Sequence, residues 1–272
     1  MKILATDLDR TLLPNGHWPA DDQAITLFNQ LTRSHDTLVV YVTGRNLDLT
    51  EQAIAQYGVR HPDVLVGDVG TTIRRYADGQ WHDDEGWEQR IHERSPRWNN
   101  RAVANAIDGV AGLVEQAPEH LNPFKQSYDV DHDNRESILR QVGARVEGRF
   151  DEVIIYSYDS QADKGLLDFL PNSATKQTAL EYVAEQAQVD KAEVVFCGDS
   201  GNDIFPLTAG FNGVLVRNAD EQLLENVQRA QREDPTLRLY FAKGDFNGLS
   251  GYYTSGVIEG AYHYGLFHAP WD

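Results

Sequence analysis

The chain has 272 residues, enough to bury a full hydrophobic core in one large domain or two modest ones. Its 24 basic and 42 acidic side chains give a net charge of −18, which argues against nucleic acid as a partner, because phosphate backbones need basic stripes. A lone cysteine, no stretch apolar enough to cross a bilayer, and an N-terminal segment unlike a signal peptide together lead to the expectation of a cytoplasmic protein without a membrane partner.

In chain order, residues 3–5 read as a short buried strand that ends at Asp7 and Asp9. A helix over 21–31 follows, with Ala24, Ile25, Phe28 and Leu31 on one side. A β-branched strand over 37–42, a helix over 49–57 and a strand over 64–66 continue the alternation. Such alternation predicts right-handed crossovers and a mostly parallel sheet. Residues 71–81 look like a hairpin turning at Asp78-Gly79.

The pattern then changes. Helical runs are expected over 100–110 and 112–116, after which Pro118 and Pro123 break the chain. Residues 125–130 alternate as a strand, 134–146 as a helix, and 152–158 and 165–170 as two more strands. From 174 the βα alternation returns, with helices over 174–187, 203–208, 219–231 and 250–264 and strands over 193–197, 213–216 and 237–241. The expected architecture is α/β: a doubly wound, mostly parallel core (1–82 and 169–272) interrupted by an inserted α+β unit (83–168) with an antiparallel sheet.

Chemistry gathers at strand ends. Asp7 and Asp9 supply a carboxylate to attack, a carboxyl to shuttle a proton, and oxygens for a hard cation. Thr43-Gly44-Arg45 follows the second strand and offers a hydroxyl and free amides to an anion, although a plain helix N-cap reads the same way. Lys176 sits in the first turn of a helix, where the macrodipole disfavours a cation, so an anion is expected nearby. Cys197-Gly198-Asp199-Ser200-Gly201-Asn202-Asp203 puts acids and glycines after a buried strand and suits Mg2+; the alternative is an Asx-turn capping the next helix.

That order of motifs resembles the haloacid dehalogenase superfamily of phosphatases across the whole core. With the α+β insert, Val69-Gly70-Thr71, Lys125-Gln126-Ser127-Tyr128, Asp168-Phe169-Leu170-Pro171 and Val216-Arg217-Asn218-Ala219, it resembles the sucrose-phosphate phosphatase family within it. The resemblance implies an aspartyl-phosphate intermediate on Asp7 and acid–base chemistry at Asp9. It gives Thr43, Gly44, Lys176 and Asn202 to the phosphoryl group, and Asp7, Asp9, Asp199 and Asp203 to Mg2+. A small-molecule sugar phosphate, sucrose 6-phosphate first among them, is the implied substrate, and a sucrose-phosphate synthase the implied partner. Mannosylfructose, trehalose and hexose phosphates are rivals, with a phosphomutase or a non-catalytic sugar-phosphate-binding module further off.

Sugar contacts are expected from Arg45, Lys125, Ser127, Tyr128, Arg217 and Asn218, with Tyr128 in the core and Lys125 on the surface as the alternative. Trp81, Trp87 and Trp98 read mainly as packing anchors. Arg10 departs from the small or polar residue usual after the acid pair, and is expected to point to solvent, with a contact to the cap or the substrate as the alternative.

Overall fold

A computed structural model describes residues 1–34, 36–159, 164–244 and 246–267; the end of the expected second core part, 268–272, lies outside them. The first section runs β1 (Lys2–Thr6), α1 (Ala24–Ser34), β2 (Thr37–Val42), α2 (Leu47–Tyr57), β3 (Val64–Gly67), β4 (Thr72–Ala77), β5 (Gln80–Asp83) and α3 (Glu85–Arg94). The middle runs α4 (Asn100–Ile107), β6 (Leu113–Glu115), β7 (Gln126–Val130), α5 (Arg135–Val146), β8 (Glu152–Asp159) and β9 (Lys164–Pro171). The last runs α6 (Lys176–Ala187), β10 (Val194–Gly198), α7 (Ile204–Leu207), β11 (Asn212–Leu215), α8 (Glu221–Glu233), β12 (Arg238–Phe241) and α9 (Thr254–His263).

Eight strands form one sheet in the order β12-β11-β10-β1-β2-β3-β4-β5. Pairings from β12 to β3 are parallel, and the hairpin β4–β5 closes the edge antiparallel. Ile3, Ala5, Val40 and Val42 point to one face and Leu4, Val39 and Tyr41 to the other, so the strands are apolar on both sides, as burial under helices on both faces requires. Trp87 and Ile91 of α3 are buried in the same cluster as Leu180 and Val183 of α6. Packing therefore puts α3 with the large sheet, although the insert was expected to begin at 83.

The second sheet, β6-β7-β9-β8, is antiparallel throughout. Tyr128, Val130, Leu167 and Phe169 face α4 and α5 and bury against Val103, Ile107, Ile138 and Val142. By the two-residue period, Ser127, Asp129, Leu166 and Asp168 face the other way. Ile155 of this sheet meets Val69 and Leu170 at the junction of the two layers. Residues 112–116 correct the helical expectation: Leu113–Glu115 is a strand, held by antiparallel pairing with β7 that overrides its local pattern.

Candidate active site

The chain winds outward from β1 to β3 on one side of the sheet and from β10 to β12 on the other. Between β1 and β10 lies the switch point, where a crevice opens at the carboxyl ends of the strands. Asp7 is the first residue past β1, and its N–H donates to Cys197 O at 2.9 Å. Asp199 is the first past β10. Across β1, Thr43 is fully buried at the end of β2, and its Oγ1 accepts from the Arg45 N–H at 3.2 Å.

Lys176 enters this crevice from the first turn of α6, which Thr175 caps by accepting from the Thr178 N–H at 3.2 Å. Its approach depends on Gly70. At φ +105° a Cβ there would stand 2.3 Å from the backbone carbon of Thr175, so the close contact between the two segments needs glycine. Lys176 is 2% exposed and its Nζ donates to Asp7 Oδ1 at 3.0 Å, Asn202 Oδ1 at 3.0 Å and Asp203 Oδ1 at 2.8 Å. Burial alone would lower its pKa; Asp203 and Asp7 outweigh burial and raise it. The anion expected near Lys176 is thus a pair of carboxylates of the chain itself.

Asp203 is spent on this framework, since its Oδ2 accepts from the amides of Asp199 and Ser200 at 3.1 and 3.2 Å. Asp199 is different. Thr11 Oγ1 donates to its Oδ1 at 2.8 Å, but its Oδ2 is the buried side-chain polar atom without a hydrogen-bond partner among the described residues. Ligand oxygens of Asp7, Asp199 and Asp203 lie within 4.8 Å of one another. A buried carboxylate oxygen that no hydrogen bond satisfies and that only the charge of Arg10 faces, in an all-oxygen donor set, fits a hard divalent cation such as Mg2+.

Burial pushes Asp7 up to about 7 against the opposing pull of Lys176, and pushes Asp199 well above the usual carboxylate range against Arg10. A raised folded-state pKa contributes stability that is fully present below the unfolded value and is lost as pH rises through the folded one. The metal-free protein should therefore lose stability between about pH 4 and 7 on account of Asp7, and a cation should restore it above that window. Mg2+ is expected to raise the melting temperature by at least about 5 °C at pH 8 and by little at pH 5, read by differential scanning calorimetry. Equal shifts at both pH values would remove these carboxylates as ligands.

Asp9 is held apart from the buried cluster. Arg45 donates Nε to its Oδ2 at 2.8 Å and Nη2 to its Oδ1 at 2.7 Å, and Asn15 Nδ2 adds a bond at 2.6 Å. Burial raises its pKa, but the hydrogen bonds and charge of Arg45 outweigh burial and leave it below the ordinary value.

Above these groups lies a cavity of about 680 Å³. Asp7, Asp9, Gly44, Arg45 and Asn202 line its floor, and Gln116, Lys125, Asp129, Lys164 and Asp168 its opposite wall. That wall is a chain of paired polar groups. Gln116 Nε2 and Lys164 Nζ donate to Asp129 at 2.8 and 2.7 Å, while Ser127 Oγ donates to Asp168 at 2.5 Å. Lys125 donates to His120 O at 2.9 Å and stands 4.0 Å from Asp168.

Of the residues singled out from the sequence, Asp7, Asp9, Thr43, Gly44, Arg45, Lys125, Ser127, Lys176, Asp199, Asn202 and Asp203 therefore gather at or behind this cavity. Tyr128 does not: the strand period turns it to the helix-covered face, edge-on to Phe169. Arg217 lies over the Tyr252 ring and donates to Ser250 O at 3.0 Å, away from the cavity lining. Asn218 serves the loop after β1, its Nδ2 donating to Arg10 O at 2.6 Å. Trp87 is buried, with Nε1 donating to Gly70 O at 3.1 Å.

Arg10 corrects the solvent-facing expectation. Its Nε stands 3.1 Å from Asp199 Oδ2, because the buried acids attract the nearest long cation. Asn15, Asp129, Lys164 and Asp168 were missed as site residues; alternation along β7 and β9 was the available signal, since it sets Asp129, Lys164 and Asp168 on the face of Ser127.

A family model described as sucrose-6F-phosphate phosphohydrolase matches residues 1–265. A HAD-like hydrolase of Nitrosococcus oceani is 38% identical over 264 residues, covering 96% of this chain and 71% of that protein. Sucrose-phosphatase 2 of Nicotiana tabacum is 30% identical over 82% of this chain, which spans only 52% of the tobacco protein. Mannosylfructose-phosphate phosphatase of Agrobacterium fabrum is 27% identical with 98% of both chains covered. Among solved structures, the sucrose-phosphatase of Synechocystis in complex with sucrose and phosphate superposes with a TM-score of 0.78 at 26% identity, covering 97% of each chain.

Proposed function

The chain belongs to the sucrose-6F-phosphate phosphohydrolase family of HAD-like phosphatases, and from that premise we propose that it hydrolyses sucrose 6-phosphate to sucrose and phosphate, with Mg2+ as cofactor. The observation that carries this reading is the meeting of Asp7, Lys176, Asp199 and Asp203 beneath a cavity roofed by polar side chains.

In this reading a carboxylate oxygen of Asp7 attacks phosphorus, the bond from phosphorus to the sugar oxygen breaks, and Asp9 gives that oxygen its proton. Water then attacks the aspartyl phosphate, Asp9 takes the water proton, and Asp7 returns to its free form. Arg45 and Asn15 hold Asp9 ionised at rest, so Asp9 first takes up a proton from solvent or from the substrate phosphate as their grip loosens when substrate fills the cavity, and then passes it to the leaving oxygen. Thr43, Gly44, Lys176 and Asn202 bind phosphoryl oxygens, and Lys176 keeps Asp7 oriented for attack. Asp7 and Asp199 would hold Mg2+, which supplies charge neutralisation between an anionic nucleophile and an anionic substrate.

The second sheet with α4 and α5 acts as the substrate-selecting cap, and the segment from about 95 to 170 replaces the expected 83–168 as its extent, following the packing of α3. Paired Lys164–Asp129 and Lys125–Asp168 suit adjacent sugar hydroxyls, each able to accept from the ammonium and donate to the carboxylate. A sucrose-phosphate synthase would supply the substrate.

Mannosylfructose phosphate is the second reading, favoured by a relative matched along nearly its whole length. Phosphate release from sucrose 6-phosphate, mannosylfructose phosphate, trehalose 6-phosphate and glucose 6-phosphate separates them. The highest kcat/KM is expected on sucrose 6-phosphate, by at least about tenfold, a gap equal to one well-placed hydrogen bond. Preference for mannosylfructose phosphate would replace the assignment, and no release from any sugar phosphate would end it.

A further inference from the structure

Arg10, the residue immediately after the acid pair, has a φ of +57°, in the left-handed region that a non-glycine residue rarely adopts. The backbone is fixed there from both sides. Its N–H donates to Asn15 Oδ1 at 2.7 Å, and its carbonyl accepts from Asn218 Nδ2 at 2.6 Å. The guanidinium then spans two carboxylates of unlike exposure. Nε stands 3.1 Å from Asp199 Oδ2, while Nη1 and Nη2 reach Asp220 at 3.5 and 3.4 Å. The Asp199 side chain is 1% exposed and that of Asp220 43%.

Asp199 Oδ2 is the same oxygen that lacks a hydrogen bond and is faced instead by the Arg10 guanidinium, so a metal taking this oxygen has to displace that charge. A divalent cation bound there would meet the positive charge of Arg10 at short range in a buried setting, where repulsion is weakly screened. In the metal-free protein the same guanidinium, with Lys176, offsets the buried charge of Asp7, Asp199 and Asp203.

We propose that Arg10 is a tethered counter-cation that competes with Mg2+ for Asp199 and thereby sets the metal affinity of the site, with Asp220 receiving the guanidinium when the metal binds. Stability of the metal-free form is gained at the expense of metal affinity. Asp220, at the start of α8, is placed to take the displaced charge, and its N–H donates to Asp199 O at 2.8 Å, which keeps the two carboxylates in register. The inference rests on Asp199 as a metal ligand and on no choice of sugar.

Isothermal titration of metal-free protein with MgCl2, without substrate, tests it. Arg10→Ala should bind Mg2+ about tenfold more tightly than the unaltered protein, and its metal-free form should melt lower while the Mg2+-saturated forms melt alike. Asp220→Asn, a half-exposed change, should bind Mg2+ a few-fold more weakly, because the carboxylate that would take the guanidinium displaced from Asp199 is then uncharged. Arg10→Ala with unchanged or weaker affinity overturns the proposal, as does Asp220→Asn with unchanged or tighter affinity. Should Arg10→Ala not fold without metal, the direction of change in Asp220→Asn decides alone. If the unaltered protein takes up no Mg2+, the metal assignment falls and this inference with it; binding by the unaltered protein without the two opposite shifts defeats only the role of Arg10.

Discussion

Asp7→Asn is expected to lower phosphate release by at least about 10⁴-fold while leaving the fold intact. Asparagine keeps the shape of the side chain and the oxygen that accepts from Lys176 at 3.0 Å, but loses the charged oxygen that would attack phosphorus. The same change removes a buried charge. Because burial holds Asp7 up to about 7, its ionised form costs stability at pH 8, and the metal-free variant should melt no lower than the unaltered protein there. Two measurements on one sample check this, phosphate release with Mg2+ and a thermal melt without it. Residual activity within about 100-fold would remove Asp7 as nucleophile, since loss of an orienting group alone produces effects of that size. A collapse of the melting temperature would instead assign Asp7 to the framework.

The reason this geometry was legible in the sequence is local. Acids that directly follow short β-branched runs can only stand at strand ends, and parallel strands bring their carboxyl ends to one edge. Lys176 was legible for a different reason: a cation in the first turn of a helix opposes the macrodipole, and Asp7 and Asp203 are the anions that offset it.

What the sequence concealed depends on neighbours far along the chain. Leu113–Glu115 is a strand only because β7 offers it an edge. Residues 125–130 show two faces by alternation, but which one meets the cavity is decided by α4 and α5 covering the other, which sends Tyr128 inward and leaves Lys125 and Asp168 on the wall. The α3 segment carries Trp87 and Ile91 with the right spacing, yet only α6 tells which layer they join. Arg10 looked like a surface charge because nothing local marks Asp199, some 190 positions on, as its partner.

Lys176→Met should have the largest effect on stability, because it removes the cation that both Asp7 and Asp203 face within a buried site. Methionine fills the space of the aliphatic stem, so the loss is electrostatic rather than a cavity. Breaking a buried ion pair from one side typically costs about 3–5 kcal/mol, since the partner charge is left uncompensated. Here two carboxylates and the Asn202 oxygen lose their donor together. Lys176 also lowers the pKa of Asp7, so its removal lets Asp7 take up a proton more readily. The destabilisation should therefore be largest at pH 8, where both states would otherwise be ionised, and should shrink toward pH 5, where Asp7 is neutralised. Urea unfolding of the metal-free variant at the two pH values measures this directly. A loss of the same size at both would mean that Lys176 acts through packing, and the reading of the crevice as a balanced charge cluster would fail. Activity offers a second view of the same balance. With Mg2+ present the metal can stand in for part of the missing charge, so stability should recover further than phosphate release, which still lacks the ammonium beside the phosphoryl oxygens.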